Sequence, residues 1–192
     1  MQRSERKGEF DLENMDKKQK LRELQTRLAE KLQAVRSGDV ASAAAWLAVD
    51  AGGRKYLFPL SQAGEIFPWT AIQKVAHTQA WYLGVANMRG ALFGVADFSH
   101  FVQGERTSAR NELARSDSRF VTLNSSLEVN CALFVDRLEG LRSTESFSES
   151  HDPEAGSPEF YGHVYVDVNG LHWQEINLQV LAQQNNFLNI NA

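Results

Sequence analysis

Within this 192-residue chain, Asn87-Met88-Arg89-Gly90 is where residue types and spacing most suggest chemistry. An Asn and an Arg interrupt runs that are otherwise apolar, at a point where the chain must turn. A guanidinium fork in a turn pairs bidentately with a carboxylate, either the chain's own Asp97 or one supplied by a partner. A structural salt bridge and a solvated turn residue are the plainer alternatives. The other reactive side chains offer less. No two of the five histidines have the HExxH spacing and no Cys-x-x-Cys is present, so a standard zinc site has no support. His163 and His172 sit on one hairpin, where surface or packing roles are the usual ones. Cys131 lies in an apolar run with no charged helper beside it, the pattern of a buried, inert thiol. Gly84, Gly90 and Gly94 are followed by no Gly-Lys-Ser/Thr, and no G-x-S-x-G elbow is present. These residues predict a protein with no catalytic, metal or cofactor site, one that works by binding.

Composition narrows the partner. Apolar residues make up 43% and charged residues 23%, ordinary values for a globular chain. Residues 1–38 hold ten Lys/Arg against seven Asp/Glu, whereas the remainder holds ten against seventeen. Such an acidic body has no general claim on phosphate backbones, so nucleic-acid binding is not expected. The run Val40–Val49 is about half the ~20 residues a membrane helix needs, so no membrane insertion is expected. An N-terminus reading MQRSERKGEF predicts no secretory signal, and a lone cysteine fits a reducing, cytoplasmic setting.

The elements around the turn read as strands. Trp46–Val49 and Tyr56–Leu60 flank Asp50-Ala51-Gly52-Gly53, and Leu83–Met88 and Leu92–Phe98 flank Gly90. Arg119–Leu123 and Val129–Val135 flank Asn124-Ser125-Ser126. Residues 143–159, rich in Ser, Glu and Pro, predict a long surface loop, and Asn169-Gly170 predicts a tight hairpin turn. Ile176–Leu188 has a helical apolar pattern. Leu21, Leu24, Leu28, Leu32 and Val35 form a narrow helical stripe in the N-terminal extension, too short for a sustained coiled coil. The expected domains are therefore a helical extension, 1–38, and a body, 39–192. An internal echo supports two similar units: Tyr82-Leu83-Gly84, Gly90 and Asp97-Phe98 in one, Tyr161-Gly162, Gly170 and Asn177-Leu178 in the other. From turn glycine to exit residue both count seven. Many short strands with helices only at the ends predict a mainly-β barrel or sandwich.

At these residues the chain resembles the CheW family, scaffold proteins of bacterial chemosensory arrays. The family pattern is met by Gly84-Val85-Ala86-Asn87-Met88-Arg89-Gly90 and then Leu92-Phe93-Gly94-Val95-Ala96-Asp97-Phe98. Tyr56–Leu60 is similar to the family's second strand, and Glu65-Ile66 to the Glu-Ile after it. Cys131–Asp136 resembles the strand ending in Val-Asp, and Ile176-Asn177-Leu178 to Leu181 the closing helix. The resemblance covers about residues 43–183. No Pro stands in Thr78–Ala80, where the family often has one, and the 38-residue extension exceeds the usual start.

The resemblance implies two small SH3-like β-barrels packed together, with an N-terminal helix, a short C-terminal helix and no active site. It implies an adaptor between the cytoplasmic tip of a methyl-accepting chemoreceptor and the regulatory domain of a CheA-type histidine kinase. The extension is most similar to adaptors that serve type IV pilus twitching systems. Alternatives are an adaptor of another two-component pathway or, in a different class, a small ligand-binding or hydrolytic barrel. Arg89, Asn87, Gly90 and Glu65 are the partner-binding residues it implies. The barrels should bury Trp46, Phe58, Val95, Phe134 and Val166. If the N-terminal stripe docks on its own body, light scattering will find the same oligomeric state for the full chain and a chain starting near Gly38. A dimer formed by the full chain alone would make the extension an oligomerisation element instead.

Overall fold

The computed structural model describes residues 45–104 and 116–192. The stripe Leu21–Val35, the boundary at residue 38 and most of residues 103–118, a polar stretch that the sequence reads as a loop or short helix, lie outside the described residues. The chain runs β1 (Trp46–Ala51), β2 (Arg54–Pro59), β3 (Ala63–Pro68), β4 (Ile72–Gln73), β5 (Tyr82–Met88), β6 (Ala91–Asp97) and α1 (Phe98–Gln103). After the undescribed segment come β7 (Arg119–Leu123), β8 (Cys131–Val135), β9 (Arg137–Arg142), β10 (Phe147–His151), β11 (Tyr161–Asp167) and β12 (His172–Ile176). The chain ends in α2 (Leu178–Gln183) and α3 (Asn185–Leu188).

The strands form two six-stranded sheets, ordered β10-β11-β12-β2-β1-β9 and β4-β5-β6-β8-β7-β3. Each has one parallel contact, β12 with β2 and β6 with β8, among antiparallel neighbours. The two orders follow one plan, in which three consecutive strands join a hairpin through the parallel contact and an outer strand finishes the sheet. The hairpin of the second unit is β1–β2, so the start of the chain completes the sheet that its last four strands build.

Both sheets curl. Trp46 on β1 and Phe147 on β10 lie four strands apart, roughly 19 Å in a flat sheet, yet their ring centroids are 6.0 Å apart. Phe67 on β3 and Phe93 on β6 meet at 6.4 Å across three strands. Each curl encloses its own core. One contains Trp46, Ala48, Leu57 and Trp173, with Phe147 and Tyr165 packed on it. The other contains Phe67, Ala86, Met88, Val95, Phe120, Ala132 and Phe134. These are the two units that the sequence echo predicts. Trp46, Phe58, Val95 and Phe134 are buried, whereas Val166 is only half-buried, because β11 lies next to the edge strand β10.

Strand alternation breaks down where the barrels meet. All five residues of β8 are buried. Ala132 and Phe134 face their own core, while Leu133 and Val135 are just as buried on the opposite face. On β2, Leu57 points into the core while Tyr56 and Phe58 point the other way. Those two rings meet Phe98 of α1 edge-on at 5.0 and 5.1 Å.

Several elements differ from the sequence reading. A helix, α1, begins at Phe98, where the strand was expected to end, ahead of the loop or short helix expected from Gln103. It has six residues, too short for a periodicity to show. Asp97 caps it by accepting from His100 N at 3.2 Å, and Asn177 caps α2 by accepting from Val180 N at 3.1 Å. The two exit residues of the echo are thus the same device, helix N-caps one sheet strand past a hairpin. The expected loop 143–159 contains β10, an edge strand in which every residue after Phe147 is exposed. Asn169-Gly170 is not a two-residue turn. Val168-Asn169-Gly170 forms a three-residue loop closed by Gly170 N to Asp167 O (2.9 Å) and Asp167 N to Leu171 O (3.0 Å). Only Gly170 there has positive φ (76°), the pattern of a turn followed by a bulge.

Equivalent caps make equivalent predictions. Asn177→Ala should cost about 1 kcal/mol in a denaturant melt. Asp97→Ala should cost somewhat more, up to about 2 kcal/mol, because this buried carboxylate also accepts from Ser99 Oγ at 2.8 Å.

Candidate protein interface

Arg89 and Gly90 are the two central residues of the β5–β6 hairpin, with Met88 paired to Ala91 across them. Both have positive φ, 51° and 88°, the conformation a two-residue hairpin demands. Gly90 adopts it without steric cost. Asn87 secures the turn by accepting from Gly90 N through Oδ1 at 2.9 Å. Asn87 and Gly90 are therefore first of all turn chemistry.

Arg89 differs. A β-carbon in the left-handed region costs roughly 1–2 kcal/mol, and Asn or Gly would suit the position better. Its guanidinium leaves the turn and reaches Glu65, Nη1 to Oε2 at 2.6 Å, with the cation 5.3 Å above the Phe67 ring. The sequence reading offered Asp97 as an internal partner. The structure instead buries Asp97 as the α1 cap and gives Arg89 the carboxylate of Glu65.

Glu65 is held in place by a bulge. The register of β3 against β7 shifts between Ala63 and Ile66, and Thr122 of β7 fills the irregularity. Thr122 Oγ1 accepts from Glu65 N at 2.7 Å and donates to Glu65 O at 3.2 Å. A β-carbon at Gly64 would collide with Thr122 Oγ1 and with Leu123 O, so the small residue before Glu65 is required. Thr122 was not singled out from sequence; a polar residue in an apolar strand, Phe120–Leu123, was its signal.

The arrangement faces water. The side chains of Arg89 and Glu65 are 75% and 64% exposed. Leu92, paired with Asn87 on the outer face of the hairpin, is 63% exposed, although it opens an apolar run. β3 is an edge strand. An exposed ion pair contributes about 0–1 kcal/mol, which at best offsets the backbone cost of Arg89. The tip is an ion pair, an apolar residue and a strand edge presented outward, with little to give the fold.

The remaining candidate groups do not converge. His163 Nδ1 lies 3.2 Å from Asp152 Oδ1, while His172 pairs in the ladder with Val166, so the two histidines are not opposite each other. Burial pushes the Cys131 thiol up to about 12, which keeps it protonated and unreactive. Among the described residues no three His, Cys, Asp or Glu side chains group to hold a metal ion, and no helix is long and apolar enough to cross a membrane.

Residues 45–184 match the model of the CheW-like domain. The chain belongs to the CheW-like domain family. Over 142 residues it is 28% identical to Protein PilI of Pseudomonas aeruginosa, spanning 72% of this chain and 75% of that protein. Its structure is similar to that of the scaffolding protein TtCheW from Thermoanaerobacter tengcongensis, with a TM-score of 0.58 at 17% identity, over 74% of this chain and 94% of that one. The CheW-like domain thus includes both sheets, α1, α2 and the Arg89 tip, whereas α3 lies beyond the match.

Two substitutions separate the tip's parts. Arg89→Asn should leave the melting temperature unchanged or raise it, since Asn tolerates positive φ. Thr122→Val should destabilise by about 1–3 kcal/mol, because Glu65 N loses its acceptor within the barrel wall.

Proposed function

We propose that this CheW-like protein is a non-enzymatic cytoplasmic adaptor. It couples the cytoplasmic tip of a methyl-accepting chemoreceptor to the regulatory domain of a CheA-type histidine kinase. We place it in a chemosensory array that controls type IV pili and twitching. The similarity to PilI over 142 residues supports the pilus assignment, and the family match over 45–184 supports the scaffold role. The domain boundary in this reading falls at residue 39, with 1–38 as an extension.

The observation that carries the reading is Arg89. An arginine held at positive φ on an exposed tip, paired with a similarly exposed Glu65 and lying over the Phe67 ring, adds little to stability, since exposed ion-pair and cation–π contacts are each worth about 1 kcal/mol or less and the backbone cost offsets them. Backbone cost at such a position points to use elsewhere. A partner carboxylate that takes over the guanidinium and excludes water turns a weak surface pair into a desolvated contact, worth about 2–5 kcal/mol in binding. Glu65, released in the exchange, is left on the strand edge to meet a cation, and Leu92 supplies apolar area beside it. Asn87 and Gly90 contribute by fixing the turn that aims Arg89.

The test is co-capture of the full chain with a receptor signalling tip and a kinase regulatory domain. The wild-type chain should bring down both. The double variant Glu65→Arg with Arg89→Glu rebuilds the internal ion pair with its charges exchanged, so it should fold normally yet lose co-capture. Full co-capture by the exchanged pair would make the two residues a structural bridge and remove them from the interface.

A further inference from the structure

Residues 185–192 lie past the end of the CheW-like match and return to the other half of the molecule. α2 stops at Gln183, and Gln184 is extended (φ −68°, ψ 128°), which breaks the helical path before α3 begins. Phe187 of α3 is buried. It stacks on Trp81, just before β5, with centroids 5.6 Å apart and planes at 10°, and meets Phe101 of α1 edge-on at 5.2 Å. Trp81 and Phe101 themselves touch at 5.1 Å, and Phe160 backs Phe101 at 5.9 Å. Beyond this anchor the chain lies antiparallel to residues 77–79. Gln79 N donates to Ile190 O at 2.8 Å, Ala192 N to His77 O at 3.1 Å, and Gln79 Nε2 to Asn191 O at 2.6 Å, with Thr78 and Asn191 forming an isolated bridge.

The segment's bonds are unlike those of the barrels. It has one fully buried apolar side chain, Phe187, and a half-buried one, Ile190, while Asn185, Asn186, Leu188, Asn189, Asn191 and Ala192 are exposed. Its hydrogen bonds to 77–79 are made at the surface. One apolar anchor with solvent-exposed bonds and few buried neighbours is the signature of a unit that opens locally, below the free energy of global unfolding. Gln184 supplies a pivot: its N–H closes α2 on Leu181 O, its C=O opens α3 by accepting from Phe187 N and Leu188 N, its side chain is held by Glu159, and its own backbone between them is extended.

We propose that residues 185–192 are a strap that swings open as a unit about Gln184, with Phe187 as its latch in a socket made by Trp81 and Phe101. In the closed state the strap covers part of those rings, which are half-buried beneath it. Opening presents an aromatic surface at the end of α1 without unfolding either barrel. This device is independent of the adaptor reading.

Hydrogen exchange on the full-length protein, resolved to individual amides, tests it. In the wild-type chain the amides of Gln79 and Ala192 should exchange faster than the ladder amides of β6, β8 and β12. Phe187→Ala should accelerate Gln79 and Ala192 by about tenfold or more while the ladder amides keep their rates. Leu188→Ala, one residue on but exposed, should change neither set. If Phe187→Ala accelerates the ladders by the same factor, residues 185–192 belong to the global core and the strap is overturned. An unmoved Gln79, or an equal effect from Leu188→Ala, overturns Phe187 as the latch.

Discussion

Strands β1, β2 and β8 must be apolar on both faces, because one face fills a barrel core and the other fills the seam between barrels. Leu57 against Tyr56 and Phe58, and Phe134 against Leu133 and Val135, show the division within single strands. Each fully buried side chain of this size contributes about 1.5–3 kcal/mol, so a handful of them outweighs every polar contact on the surface. The crossed connectivity follows from the same seam. The hairpin β1–β2 completes the sheet of the last four strands, so that barrel is finished only when both ends of the domain are in place, whereas the other is built from the continuous run β3–β8. Phe98 closes the seam from α1, which explains why a six-residue helix with a buried Asp97 cap is kept inside an all-strand pattern.

With stability concentrated there, the hairpin tips are free to carry other work. The β5–β6 tip has its turn fixed by Asn87 and Gly90 and its one long cation placed by the left-handed backbone of Arg89. Glu65 arrives opposite it only because Gly64 and Thr122 build a bulge into β3. The rigid part of the site is thus backbone and turn chemistry. The part exposed to exchange is one ion pair whose internal worth is near zero.

Much of this was legible in the chain. The turn at Asn87–Gly90, the glycine-spaced echo and the Trp46, Phe58, Val95 and Phe134 core positions follow from local rules, and the structure keeps them. What escaped depends on contacts between distant residues. Glu65 and Arg89 lie 24 residues apart and meet because a sheet curls and a bulge shifts register, neither of which has a sequence period. Asp97 stood out as a partner for Arg89, when its carboxylate is used locally to cap α1 by accepting from His100 N three residues on. The strand β10 looked like loop because an edge strand with one neighbour has no apolar alternation to show. Leu92 opens an apolar run, yet the hairpin turns its side chain outward.

The central claim is that Arg89 serves assembly and not the fold. Its most direct test is a titration of the kinase regulatory domain into the wild-type chain and into Arg89→Ala, each beside a thermal melt. The account predicts melting temperatures within a few degrees of each other and affinity weakened at least about tenfold, the effect of losing more than 1.4 kcal/mol of contact. Unchanged affinity in a normally folded variant, or a melting temperature lowered by tens of degrees, would contradict it.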